Sequence, residues 1–455
     1  MGAGPKLHLC QRKMRTRVTE GFRNKSMRGT KRWFYCIEKI KPSHFALLIF
    51  CLSCVVRLGL LFADGERMFR PQSAEAFNIA RTLATTGTFA DAFGPKTGPT
   101  AHTTPLYPLF MAACMKVAGE DGWAYAAIRL TNIAASSLSY AMLLYIAPWF
   151  GFPCRAATAG GLIGAFFPYG RMETEGSFEN FVATCVLLLL IGYAFGRKES
   201  VYDHVGRSAV VGAMSCVLIL LCASFVPVVV YILYAFVRQQ ERRRWLKHSA
   251  LLITIIIAGL SPWMWRNYLV FDQIIPLRGN FWLEVSVSNN DLAGPSLEGN
   301  IMRKVYQLVH PYSNRQQREI IARIGETEYM KEKRREALIW IRRHPGKFLR
   351  LVLQRARDYW FPEHRDVLFA LVLSVYTIFA MIGYCVGNTE AYRARRLRLV
   401  VVIVLLWMIY LVVQVSVRYR YPTHILLLLP AGNLAAHVLR GLAGMRQRLS
   451  GCHAT

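Results

Sequence analysis

The chain has 455 residues, of which 54% are hydrophobic and 18% charged, with 56 Lys+Arg against 27 Asp+Glu. Apolar runs approaching ~20 residues recur along it at intervals that exclude a soluble domain and indicate an all-α, multispanning membrane protein. The formal charge of +29 does not imply a nucleic-acid partner: the basic residues fall in blocks between apolar runs, as loops on the cytoplasmic side require, and no RNA- or DNA-binding motif accompanies them.

Residues 1–42 carry 12 Lys/Arg against two Glu and no sustained apolar pattern, and read as a basic cytoplasmic tail held near anionic lipid. Residues 43–62 form the first span, 63–121 an outer loop, and 122–147, 156–170 and 177–196 further spans. Within the outer loop, Phe77, Ala80, Leu83 and Ala84 recur at helical spacing after Glu75, and Gly87, Gly94-Pro95 and Gly98-Pro99 end that pattern.

The segment 209–238 would be ~45 Å long as one helix, too long for a ~30 Å core. The basic segments on either side (197–207 and 238–247) belong on one side of the membrane, so it is expected to be a hairpin turning near Ala223-Ser224-Phe225-Val226-Pro227. A span at 248–266 then delivers a long outer loop, 267–365, helical from about 313 to 361 with a break at Pro345. Spans at 366–387, 398–416 and 422–439 complete a transmembrane domain over 43–440, and 441–455 is a second cytoplasmic tail. The expected architecture is about ten spans (8–12), with juxtamembrane helices in the first outer loop. CxxC at Cys51 and Cys54 lies inside a span with no second pair and reads as packing.

Under this topology four patches face outward together. They are Glu75 with GPTAHTTPLYP (98–108), RMETE (171–175) followed by Glu179, SPWMWRNYLVF (261–271) running on to IPLRGNFWLEVSVSNND (275–291), and RYRYP (418–422). Arginines and carboxylates gathered at one membrane face suit an anionic headgroup, because a guanidinium binds phosphate through two parallel hydrogen bonds. Each group also has a plainer reading. Glu75 complements the dipole at a helix start, and arginines at span ends reach to lipid phosphates.

Four motifs in this order, Glu75…IAR…TGPTA…PLYP (75–108), PW..RN…PLR.N…E…N (262–289), HP..F…R..YW (344–360) and RYRYP (418–422), resemble the GT-C membrane glycosyltransferases. The similarity is to the superfamily of dolichyl-phosphate-mannose protein mannosyltransferases and the lipid A aminoarabinose transferase, and within it to the bacterial relatives; it covers most of 43–440. It implies an inverting transfer of a sugar from a polyprenyl-phosphate donor to an acceptor hydroxyl at the outer face of a bacterial cytoplasmic membrane.

The acceptor would be a lipid, glycan or protein. An acid of the first outer loop would serve as general base: Glu75, with Asp64, Glu66 and Asp91 as alternatives, since Gln72 and Ser73 stand where many members carry an Asp. Arg266, Arg278, Arg418 and Arg420, with Lys96 and His102, would bind the donor phosphate. Asn280, Glu284, Glu175 and Tyr107 would lie on the acceptor or sugar side. No cofactor is firmly implied; Glu173 and Glu175 could hold a divalent cation, although no metal-ligand spacing supports one. The competing readings are a lipid-linked substrate transporter or flippase, which should show inverted repeats not seen here, and an inactive GT-C relative.

Overall fold

The computed structural model describes residues 41–63, 65–70, 74–119, 122–176, 178–196, 204–387 and 389–452. Asp64 and all but the last two residues of the N-terminal tail lie outside the described residues, as does the side chain of Glu66. The chain divides into Met1–Leu48 and Ile49–Thr455. The first unit is described only over 41–48, which includes the start of α1 (Pro42–Ala63); the rest of that helix and every later element belong to the second.

Helices α2 (Glu75–Thr86) and α3 (Leu106–Ala118) flank a loop of turns, and α4 (Gly122–Ile146), α5 (Cys154–Ala165) and α6 (Asn180–Phe195) come next. Then come α7 (His204–Leu221), α8 (Val226–Val237) and α9 (Trp245–Phe271). The long loop folds as α10 (Phe281–Ser288), two short helical turns, α11 (Arg315–Ile324), α12 (Glu326–Arg343) and α13 (Pro345–Trp360). Helices α14 (Val367–Cys385), α15 (Glu390–Trp407) and α16 (Tyr421–Cys452) end the chain. Strand structure among the described residues is confined to two isolated bridges.

Four helical runs among the described residues are long and apolar enough to cross a membrane: α1, Arg242–Phe271, α14 and Arg418–Met445. Helices α3, α6, α7 and α8 are apolar but shorter. The 209–238 segment breaks where the charge argument places the turn, with a 3-10 turn at Ala223–Phe225. The guanidinium of Arg207 lies 5.8 Å from the Phe236 ring, so α7 and α8 run back antiparallel.

Helix α16 is buried from Tyr421 to Ala431 and packs on α5 and α14. The approach to α5 is backbone on backbone. A Cβ on Gly160 would meet the Leu428 carbonyl oxygen at 2.2 Å, and one on Gly432 would meet the Ala156 carbonyl oxygen at 2.1 Å. Small residues permit this spacing, and in an apolar solvent close packing is what holds helices together.

Beneath this contact Arg57 of α1 and Glu173, both fully buried, form an ion pair of 2.5 Å. Arg57 also donates to the Ala165 and Gly164 carbonyls, and Glu173 accepts from Tyr140 (2.5 Å) and Tyr421 (2.7 Å). Glu173 is therefore engaged in the core, and Glu175 is exposed. In the pair expected to hold a cation, the first carboxylate is already neutralised by an arginine.

The span expected at 398–416 is also corrected. Helix α15 ends at Trp407, a 3-10 turn covers Met408–Leu411, and 412–417 is unwound before the 3-10 turn Arg418–Arg420. Side chains from the long loop compensate the freed backbone groups. Arg355 donates to the Leu411 and Val412 carbonyls (3.3 and 2.9 Å), Asn289 to Val412 (2.9 Å), and Gln414 N–H donates to Ser288 Oγ (2.8 Å). Irregular backbone at such a depth is tolerated only where protein satisfies it or a cavity adjoins it.

Candidate active site

The unwound segment and the 3-10 turn after it deliver Gln414, Arg418 and Tyr419 to a cleft of about 630 Å³. Glu75 enters from the start of α2, His102 from the following loop, Glu179 from the start of α6, Arg278 and Glu284 from the long loop, and Tyr306 from one of its helical turns. A second lobe of about 970 Å³ shares Glu179, Arg278, Glu284 and Tyr419, and continues past Asn280 to the apolar Phe281, Ile409 and Val413.

Each charged group is fixed by its surroundings. Ala74, the residue before α2, offers no capping side chain. The Glu75 carboxylate accordingly accepts from its own backbone N–H. Burial raises the Glu75 carboxyl above its ordinary value; that N–H, Arg418 and Arg278 act against the rise, and Glu179 adds to it. Glu284 is raised for the same principal reason, with Arg278 opposing and Glu75 reinforcing the shift.

Arg278 donates through Nε to Asn280 Oδ1 (2.5 Å), and Asn280 Nδ2 donates to Glu284 Oε1 (3.3 Å). Arg418 donates to the Tyr419 hydroxyl (2.9 Å) and lies 4.1 Å from the Phe178 ring centre, while Tyr419 stacks on Tyr410 at 5.0 Å. The cleft thus sets two guanidinium groups opposite carboxyl groups held partly desolvated. That arrangement can hold a phosphate and accept a proton beside it.

Of the residues singled out from sequence, Glu75, His102, Arg278, Glu284 and Arg418 line the first lobe, and Asn280 lines the second. The others that are described lie elsewhere. Arg266 donates to the Thr100 and Phe89 carbonyls (2.8 and 2.7 Å) and packs among Phe89, Trp263 and Phe271, so it fastens the first outer loop to α9. Arg420 is buried on the Trp360 carbonyl and Thr377 Oγ1. In a 3-10 turn residues two apart point about 120° away from each other, which separates it from Arg418.

Tyr107 is buried against Gly176 O (2.7 Å) and Asn132 (3.2 Å). Asp91 caps Gly98 N (3.0 Å) within the loop turn, and Lys96 is exposed on it. His102 is pushed well below the ordinary histidine range by burial, Arg278 and His310, so it meets a ligand as a neutral ring rather than as a cation. Its Nδ1 has no hydrogen-bond partner.

The residues missed from sequence are Tyr306, Gln414 and Tyr419, and Glu179, which was placed in an outward patch but given no role. Tyr419 stands between two singled-out arginines, a signal that was legible; Tyr306 carried none. No three metal-ligating side chains converge among the described residues. The acids of the cleft instead face guanidinium groups.

Glu326 is another residue that the sequence did not mark. Buried at the start of α12, it accepts from Thr100 Oγ1 and from Ala101 N (2.8 Å), while Gly279 N–H donates to Ala101 O (2.8 Å). These bonds tie the segment leading into His102 to the loop carrying Arg278. Burial raises the Glu326 carboxyl to about 7, against its bonds to Thr100 and Ala101 and the charge of Arg266. From the ordinary 4.5 up to about 7 the folded protein therefore holds a proton that the unfolded chain releases, and stability contributed here declines as pH rises through that window. Thermal midpoints of wild type and Glu326→Gln, followed across the window, should diverge, wild type losing more with rising pH. Parallel profiles would remove Glu326 as the source.

No protein-family model matches the chain, and no curated protein does. Among solved structures, the fold is shared with the oligosaccharyltransferase of Archaeoglobus fulgidus, solved with Zn and sulfate, at TM-score 0.51 and 12% identity over 89% of this chain. What the chain shares with that protein is its fold. The chain spans about half the length of that oligosaccharyltransferase, 51%. Cupriavidus metallidurans ArnT aligns more loosely. With bound undecaprenyl phosphate it gives TM-score 0.36 at 14% identity over 92% of this chain and 79% of its own; the apo form gives 0.34 at 14% over 84% and 76%.

Proposed function

We propose that the cleft transfers a sugar from a polyprenyl-phosphate donor to an acceptor hydroxyl, with inversion. The observation that carries this reading is the placing of Glu75 in one cleft with Arg278 and Arg418, beside an apolar lobe able to take the first prenyl units. Glu75 removes the acceptor proton as that oxygen attacks the anomeric carbon. The bond from that carbon to the phosphate oxygen breaks, and polyprenyl phosphate leaves with the electron pair onto Arg278 and Arg418. Fixed positive charge at the departing oxygen stabilises the transition state more than the ground state. Asn280 and Glu284 shape the acceptor side together with Tyr306.

In the membrane, α1, α4 to α9 and α14 to α16 make the ten passes. The cleft then opens at the outer face of a bacterial cytoplasmic membrane, with the two tails inside, and its partners are lipid-linked sugar, surrounding lipid and an acceptor glycan, lipid or protein.

The test is transfer from a panel of radiolabelled polyprenyl-phosphate sugars in membranes supplied with total envelope acceptors. Transfer of one sugar is expected. Arg278→Lys and Arg418→Lys should each lower kcat/KM by about 10–100-fold, since an ammonium keeps the charge but loses the paired hydrogen bonds, worth ~1.5–3 kcal/mol. Transfer from no donor, with donor binding also absent, would overturn the proposal.

A further inference from the structure

We propose that the end of the bundle opposite the cleft carries a second anion site, which binds the phosphate of a lipid headgroup. A cavity of about 850 Å³ opens between the α4–α5 turn and the α14–α15 turn, against α16. His437 in its wall is sixteen residues beyond Tyr421 on α16, about 24 Å at helical rise, which places the cavity near the other membrane interface.

Its charged lining is of one sign, Arg155, Arg395 and Arg396, with His437 beside them and no carboxylate among the described residues. Arg155, Arg395 and His437 are exposed around it. Arg396 is only 2% exposed, and its two Nη groups donate to the Tyr384, Val386 and Gly387 carbonyls, while its Nε has no partner. Helix α5 starts in the same wall, and Pro153 before it offers no capping side chain. An uncapped helix start favours an anion, and here it stands among fixed cations. Arg395, on the exposed side, can turn to phosphate oxygens without disturbing the carbonyls that Arg396 holds, and Arg155 adds its charge at the same mouth.

The occupant is a lipid rather than free phosphate because the rim is apolar. Tyr392, 45% exposed, lines it together with Pro148, Pro153 and Val386, a surface suited to acyl chains beside a headgroup. This site does not depend on the reaction assigned to the cleft.

The test uses the full chain purified in a neutral detergent and titrated with short-chain phosphatidylglycerol, with phosphatidylcholine and inorganic phosphate as separate arms, read by native mass spectrometry. Wild type should bind phosphatidylglycerol at least tenfold tighter than either control. Arg155→Gln/Arg395→Gln should weaken that binding on the order of tenfold per arginine, as the loss of one charge-assisted hydrogen bond each implies. Arg395→Gln alone, at an exposed position, serves if the double variant does not fold. Unchanged binding in a folded Arg395→Gln or double variant overturns the proposal. Inorganic phosphate binding as tightly as phosphatidylglycerol overturns the lipid assignment.

Discussion

Glu75→Gln is expected to lower sugar transfer by ~10²–10⁴-fold in kcat while changing donor KM by no more than a few-fold. The amide keeps the shape and the hydrogen bond at the start of α2 but cannot take a proton, and Arg278 and Arg418 remain to bind phosphate. The pH dependence provides a second readout. A base works only when ionised, and burial holds the Glu75 carboxyl above 4.5. The acid limb of kcat/KM should therefore lie above that of an exposed glutamate, with activity rising as pH passes through it. Glu284→Gln is the internal comparison, because Glu284 is raised by the same burial and faces the same arginines. Loss of turnover in that variant, with turnover retained in Glu75→Gln, would move the base to Glu284.

Glu173→Gln should cost stability rather than chemistry, by ~3–5 kcal/mol, because it leaves the Arg57 guanidinium buried in the core without its counter-charge. The two tyrosine hydroxyls that donate to Glu173 can still reach the amide oxygen. The effect is therefore mainly the unpaired charge, not lost hydrogen bonding. Replacing both members, Arg57→Met with Glu173→Met, should recover much of the loss, since the desolvation cost disappears along with the attraction. Thermal denaturation of the purified protein, followed by the fraction remaining monodisperse, separates the two variants from wild type. A single variant as stable as wild type would show that the pair does not hold α1 to the Gly170–Glu173 turn.

Much of the fold was legible because hydrophobic length and charge asymmetry are local properties. The hairpin within 209–238 followed from helix length against membrane thickness, and the α12–α13 break followed from Pro345, which stands at the first position of its helix. The site was legible in part. Glu75, Arg278 and Arg418 stood out as charges beside apolar runs, and they share the cleft. Arg266 and Arg420 carried the same signal, but they meet backbone carbonyls at the ends of neighbouring segments. Sequence cannot separate an arginine that answers the chain's own carbonyls from one left to face a ligand.

What the sequence determined by itself is the class of object: a helical membrane protein with a basic character and acids and arginines collected at its segment ends. Composition and periodicity act residue by residue and need no knowledge of neighbours. What only the tertiary structure decided is which charges converge. The unwinding after Trp407 depends on Arg355 and Asn289, more than fifty residues earlier in the chain, answering the carbonyls of Leu411 and Val412. The register of His102 against Arg278 depends on Glu326, more than two hundred residues beyond Thr100. Those bonds form only once distant segments are packed, because a buried polar group takes whichever partner the fold brings within reach.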